Sequence, residues 1–330
     1  MDKHAKIYIA GHTGLAGSAL MRALKSAGYG NLLLREHSKL ELTDRSSVED
    51  FFQFQRPDFV FLAAAKVGGI LANATLPADF ITQNLAIQLN VIRAAYSSGV
   101  QRLAFLGSSC VYPKLAPQPI PESALLSGPL ELSNRSYAVA KIAGIEMCWA
   151  YNRQFATRFL AFMPCNLYGP HDNYDPHSSH VIPALIGKMH QAKLHGAPEI
   201  SLWGTGTPRR EFLHSDDAAQ ACFFLMNLPD PQFDLLAHAP AEPPLINVGS
   251  GSEITIRELA LLIADIVGFR GKLIFDPSKP DGTPSKLMDT RRLSTLGWKP
   301  AISLPDGLAA TYREYLSSRE NIPQPVASPA

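Results

Sequence analysis

Apolar positions fall in two alternating rhythms along the first half of the chain. Short apolar runs at Lys6–Ala10, Asn31–Leu34, Asp58–Ala64, Arg102–Leu106 and Arg158–Met163 predict strands, and the continuous run Asp58–Ala64 is of the type covered on both faces. Between them a helical spacing predicts helices over Ser18–Ala27, Arg45–Gln55, Ile81–Ser98 and Tyr137–Phe155. In the first of these, Leu20, Ala23, Leu24 and Ala27 share one face. Strand and helix alternating through short links predict a doubly wound parallel α/β sheet with right-handed crossovers.

After Pro164 the texture changes. Loops rich in Pro, Gly and His are mixed with shorter helices such as Val181–Gln191, which predicts a smaller C-terminal substrate-binding lobe. Residues 1–168 are expected to form the first domain, with about 210–260 returning to it in part; residues 169–330 form mainly the second lobe. "INVGSG", from Ile246, reads as a strand rejoining the main sheet, and Ile256–Val267 as a helix with Leu259, Leu262 and Ile263 on one side. The last ten residues, "NIPQPVASPA", read as a disordered tail. No internal repeat is found.

Composition narrows the class. The chain has 330 residues, 46% hydrophobic and 18% charged, which suits a well-buried soluble enzyme. A formal net charge of +1 offers no electrostatic reason to expect nucleic acid or an anionic membrane as partner. The four cysteines, Cys110, Cys148, Cys165 and Cys222, form no CxxC pair, so neither a zinc site nor a disulfide framework is expected. Free thiols suit a reducing, cytoplasmic setting. The apolar run Ile7–Ala10 is too short for a signal-peptide core, and Lys66 interrupts the best membrane-span candidate.

The stretch Gly11-His12-Thr13-Gly14-Leu15-Ala16-Gly17 follows the first strand and opens the first helix. In that context a glycine-rich turn lets the backbone approach a pyrophosphate, which the helix N-terminus then attracts. The spacing is GxxGxxG rather than GxGxxG. The fold is therefore expected to be Rossmann-type, binding a nicotinamide dinucleotide. The second strand ends at Arg35, which favours the 2′-phosphate of NADP, while the following Glu36 argues the other way. Asp44 either reaches the adenine or caps the helix that "TDRSSVED" opens.

Tyr137 and Lys141 lie four apart and so share a helical face. An ammonium beside a phenol lowers its pKa, and such a tyrosine can exchange a proton with a carbonyl or alcohol. Upstream, a strand ends at "GSSCVYPK", bringing Ser108, Ser109 and Cys110 to one place. From these residues alone Cys110 reads equally as a small buried residue or as a working acid or base.

The stretches "AGHTGLAGSA", "AAAKVGGILANATLPADFITQN", "FLGSSCVYPK", "YAVAKIAGIEMC", "NLYGPHDNYDPHSSHVIPAL", "WGTGTPRREFLH" and "SKPDGTPSKLMD" cover most of the chain. In them the chain resembles the extended short-chain dehydrogenase/reductases that modify nucleotide sugars. It most resembles the epimerase/reductases of GDP-4-keto-6-deoxy-mannose. "AAAKVGGI", "GSSCVYPK" and "SHVIPAL" are far more specific than the glycine loop or YxxxK.

The resemblance implies one site that epimerises carbons 3 and 5 and then reduces the 4-ketone with NADPH. It implies Cys110 as base, His180 as acid, Tyr137 as proton donor to the carbon-4 oxygen and Ser108 as hydrogen-bond partner of the ketone. Lys141 would orient the nicotinamide ribose and depress the Tyr137 pKa. Beyond the glycine loop, the implied cofactor contacts are Arg35, Asp44, Ala64, Lys141, Pro164, Asn166, Leu167 and His180. Asn166, Val181, Lys188, Trp203 and Arg210 would meet the GDP-sugar, with Lys286 near its phosphates. A homodimer built on a four-helix bundle including the Tyr137 helix is also implied.

Two positions depart from the family pattern: Thr13 stands where an Arg is common, and so does Lys188. The histidine-rich run His171, Asp172, His177 and His180 is loop-like, and no metal site is expected there. Cys148 and Cys222 read as core, and the role of Cys165 is open. A UDP-sugar 4-epimerase would need no Cys–His pair. A 4,6-dehydratase would carry an Asp-Glu pair just after the first active-site hydroxyl, where this chain reads Ser109-Cys110-Val111. A redox-sensing regulator would be expected to lose Tyr137 or Lys141. A colitose-type synthase acting on a 3-deoxy sugar stays open.

Overall fold

The computed structural model describes residues 1–175, 178–279 and 281–320. The expected tail, 321–330, and His177 lie outside the described residues.

The first lobe is a six-stranded parallel sheet. Its strands are β1 (Ile7–Ala10), β2 (Leu32–Leu33), β3 (Phe59–Leu62), β4 (Arg102–Leu106) and β5 (Phe159–Pro164), followed in the second half by a sixth, Leu245–Val248. β1, β3 and β4 are buried along their whole length, which is why they read as unbroken apolar runs. The helices of this half are α1 (Leu15–Ser26), α2 (Arg45–Gln55), α3 (Ile70–Thr75), α4 (Pro77–Ser97) and α5 (Arg135–Phe155). α3 was not predicted, and α4 begins four residues before the predicted Ile81, with Pro77 in its first turn where no amide is needed. β2 is only two residues long.

The second half begins with β6 (Asn166–Tyr168), α6 (Val181–Leu194), β7 (Glu199–Trp203), β8 (Arg209–His214), α7 (Ser215–Met226) and α8 (Asp230–Ala237). It continues through β9 (Leu245–Val248), β10 (Glu253–Thr255), α9 (Ile256–Val267), β11 (Lys272–Asp276), α10 (Arg291–Thr295) and α11 (Leu304–Glu320). The main sheet runs β2-β1-β3-β4-β5-β9, so the winding reverses between β1 and β3. α2, α4 and α5 pack on one another, and α1 packs on α7, giving the two helical layers of a doubly wound fold. The expected return of Ile246–Gly249 is β9 beside β5.

The lobes are interleaved differently from the expected 1–168 boundary. β6 lies where the lobes meet: it pairs with β8 in a three-stranded sheet, β10-β8-β6, with Leu167 packed against the first core and Tyr168 in the second. Of residues 210–260, α7, α8 and β9 join the first core, whereas Phe212, Leu259 and Ala260 pack in the second. Met288, Leu293 and Trp298 also return to the first core. Apolar content cannot reveal which of two adjacent cores a strand joins. Among the described residues no helix is long and apolar enough to cross a membrane.

Candidate active site

The crevice of a doubly wound sheet opens at the carboxyl ends of its strands, where the winding reverses. Here that point lies between β1 and β3. Gly11 leaves β1 with φ +83°, and a Cβ there would lie 2.8 Å from the Ala64 backbone beyond β3. A Cβ on Gly17 would run into the Gly11 carbonyl. Gly14 is less constrained, and its amide donates to Gly11 O at 3.1 Å. Within this loop His12 Nδ1 is buried without a hydrogen-bond partner. A backbone cradle at a helix N-terminus with an unpaired ring nitrogen fits a phosphate-bearing dinucleotide.

Arg35 lies over the Phe51 ring at 5.5 Å and donates to Leu34 O at 2.8 Å, at the rim of the same crevice. Asp44 takes the capping alternative: its carboxylate accepts from Ser46 N at 3.0 Å and Ser47 Oγ at 2.6 Å. Ala16, Leu106, Pro164 and Leu167 meet around one small apolar gap shared with the buried Leu20, Phe162 and Cys222. Asn166 donates its amide to Glu211 O at 2.8 Å, anchoring β6 to β8.

Ser108 lies two residues beyond the end of β4; its hydroxyl accepts from Cys110 N at 3.3 Å and caps a single 3₁₀ turn. Ser108 also hydrogen-bonds Tyr137, in the first turn of α5. Burial pushes the Tyr137 phenol well above its usual range; Cys110 adds to this and the Ser108 bond opposes it. Lys141 Nζ donates to Leu106 O at 2.7 Å, and burial pulls its ammonium down to about 7. It lies 5.9 Å from the Tyr137 ring centroid. Burial dominates the Tyr137 shift, and Lys141 is not among the neighbours that set it.

Cys110 is half-buried, and its sulfur accepts from Asn134 Nδ2 at 3.2 Å. Lys286 Nζ lies 3.9 Å from the same sulfur. Arg210 and Tyr137 are the neighbours on which a charge at this sulfur would act. Lys286, expected near the phosphates, thus stands at the thiol, because residues 287–289 are paired with Ile120 just beyond the Cys110 loop. Cys148, Cys165 and Cys222 are buried in the core.

His180 precedes α6 at its N-terminal boundary, where its ring is exposed on one side while partial burial holds the imidazole below its usual value. The loop carrying it docks on the Gly68–Gly69 turn. Gly69 N donates to Ser178 O at 2.9 Å, and a Cβ on Gly69 would lie 2.7 Å from Ser179 O. Phe80, against which Gly68 packs, meets the Tyr137 ring edge-on at 6.2 Å. The stretches "AAAKVGGI" and "SHVIPAL" therefore meet in space beside Tyr137.

The remaining predicted contacts line the second lobe. Trp203 is 65% exposed at the end of β7, so it is not core. Arg210 donates to Arg209 O and Thr283 O. The exposed Lys188 donates to Ser201 O, and Val181 begins α6. Sequence reasoning missed Asn134, whose one signal was a polar amide at the start of the Tyr137 helix. It also missed the buried Glu211.

The sequence model of the NAD dependent epimerase/dehydratase family matches residues 7–235. The chain is 56% identical to GDP-L-fucose synthase 1 of Arabidopsis thaliana over 317 residues, 96% of this chain and 95% of that one. It is 52% identical to GDP-L-fucose synthase of Escherichia coli over 320 residues, 96% of this chain and 98% of that one. A solved GDP-mannoheptose C4 reductase from Campylobacter jejuni with NADP bound superposes with a TM-score of 0.86 at 40% identity, covering 96% of this chain and 99% of that one. With a parallel sheet reversing at a glycine cradle, and Ser108, Tyr137 and Lys141 gathered at its edge, the chain belongs to the NAD dependent epimerase/dehydratase family, among its GDP-L-fucose synthases.

Proposed function

We propose that this protein converts GDP-4-keto-6-deoxy-D-mannose to GDP-L-fucose, epimerising carbons 3 and 5 and reducing the 4-ketone. The observation that carries this reading is the pairing of two different proton-handling groups in one pocket. Cys110, flanked by Asn134 and Lys286, adjoins Tyr137 and Ser108. A simple 4-epimerase needs only the latter pair.

Carbons 3 and 5 both flank the ketone, so removing either proton leaves an enolate on the same oxygen. Cys110 as thiolate takes the proton, and His180 returns one to the opposite face. Burial lowers its pKa, so the imidazolium is a stronger acid once the ring has taken up a proton. Ser108 and Tyr137 donate to the oxygen where charge develops. Bound NADPH supplies the hydride for carbon 4, and Tyr137 gives the proton that completes the alcohol. Lys141 holds the ribose. Arg210 suits the diphosphate, and Trp203 offers its exposed face to a ring.

Arg35 at the crevice rim supports NADPH over NADH, as does the NADP-bound relative. Exposed apolar side chains on α4 (Leu85, Leu89, Tyr96) and α5 (Val139, Phe155) support a homodimer through a four-helix bundle. Four free thiols suit the cytoplasm.

The test is incubation with GDP-4-keto-6-deoxy-mannose and NADPH in deuterated water. Deuterium at carbons 3 and 5 of GDP-L-fucose is expected. Reduced product without deuterium at either carbon would refute the epimerase half, and deuterium at carbon 5 alone would point to a substrate lacking the 3-hydroxyl.

A further inference from the structure

Glu211 lies next to Arg210 in β8, is 0% exposed, and takes no part in the chemistry above. Its two carboxylate oxygens hold two different segments. One accepts from Gly251 N at 2.7 Å and the other from Met288 N at 2.9 Å. Ser250 lies beside the carboxylate, its hydroxyl donating to Ser252 O at 3.2 Å. Gly249 leaves the space, since a side chain there would run into the carboxylate. Both amides converging on Glu211 donate, so only an acceptor on both sides satisfies them; a glutamine would aim one N–H at another. Burial disfavours the charged form and pushes this carboxyl up, a cost that calls for a task.

The segment held by the second oxygen carries Lys286. β8 grips that segment at both ends: Arg209 N donates to Pro284 O at 2.8 Å, and Glu211 takes Met288 N. Lys286 stands midway, 3.9 Å from the Cys110 sulfur. The other charged or titratable groups facing Cys110 are Arg210 from β8 and Tyr137 from α5; Cys165 faces Glu211.

We infer that Glu211 is a positioning residue for Cys110: by fixing the 284–288 segment it sets the distance between the Lys286 ammonium and the thiol. This rests on the reading of Cys110 as the base. A nearby ammonium favours the thiolate, which is the reactive form.

The experiment is alkylation of Cys110 by iodoacetamide across pH 6 to 9.5, read by mass spectrometry on the full chain without sugar. Lys286→Met is expected to slow alkylation at pH 7 about fivefold, the gap closing at high pH. Glu211→Gln is expected to slow it about threefold with the same closing gap, and to add nothing in the Lys286→Met background. NADPH binding, measured alongside, marks a folded protein. A wild-type profile in Glu211→Gln overturns the inference, as does an effect that persists without Lys286. If Glu211→Gln does not bind NADPH, Gly249→Ala, which displaces the carboxylate but keeps its charge, must give the same shift. Loss of NADPH binding in both makes Glu211 a folding element and overturns its positioning role. Alkylation reads the thiol without substrate and deuterium exchange reads the base, so the two readings fail separately.

Discussion

The Cys110 sulfur accepts from the Asn134 amide at 3.2 Å and has the Lys286 ammonium at 3.9 Å. Asn134 is the neutral member, so its removal tests geometry rather than charge. Asn134→Ala is expected to lower deuterium wash-in at carbons 3 and 5 about tenfold while leaving NADPH affinity unchanged. Equal losses in wash-in and cofactor affinity would count against that role. Lys141 gives a second test. Its folded pKa of about 7 lies below the ordinary lysine value. Between the two values the unfolded chain binds a proton that the folded chain does not, so this group adds stability as pH rises through that window. Below about pH 7 the folded lysine is charged and its burial penalty is fully present. A phosphate-bearing cofactor beside it favours the ammonium. NADPH binding near pH 8 should therefore take up a proton, seen by calorimetry in buffers of different ionisation enthalpy. Lys141→Met should abolish that uptake.

Among elements, the turn from β3 into α3 decides where His180 stands. Lys66 N donates to Asn84 Oδ1, and Asn84 Nδ2 donates back to Lys66 O, both at 3.0 Å. Asn73 Nδ2 donates to Gly68 O at 2.7 Å. This braced turn accepts the Ser178–Ser179 backbone only because Gly69 lacks a Cβ. Gly69→Ala is expected to displace the loop, with a loss of about 1–3 kcal/mol in stability and a fall in epimerisation larger than in NADPH binding. Urea unfolding and deuterium wash-in check the two halves. An unchanged wash-in rate would show that the loop tolerates the shift.

For the molecule as a whole, the α4 and α5 surface carries contiguous apolar groups, including the stacked Tyr96 and Phe155 rings at 4.3 Å. Leu89→Glu should convert a dimer to a monomer in size-exclusion chromatography with light scattering, because it puts a charge in the centre of the proposed bundle. A wild-type monomer would remove the dimer from the picture. The sequence determined much of this molecule by itself. Continuous apolar runs mark strands covered on both faces. The glycine cradle, the four-residue spacing of Tyr137 and Lys141, and the Asp44 cap are all short-range patterns set by backbone sterics and helical period. Tertiary structure decided the rest. It placed α9 in the second core and divided β6 and β8 between the two, brought Lys286 to a thiol far away in sequence, and buried Glu211 among donors from two segments. It also set the charge of Lys141. Desolvation and long-range contact depend on what surrounds a residue in space, and periodicity along the chain carries no record of that.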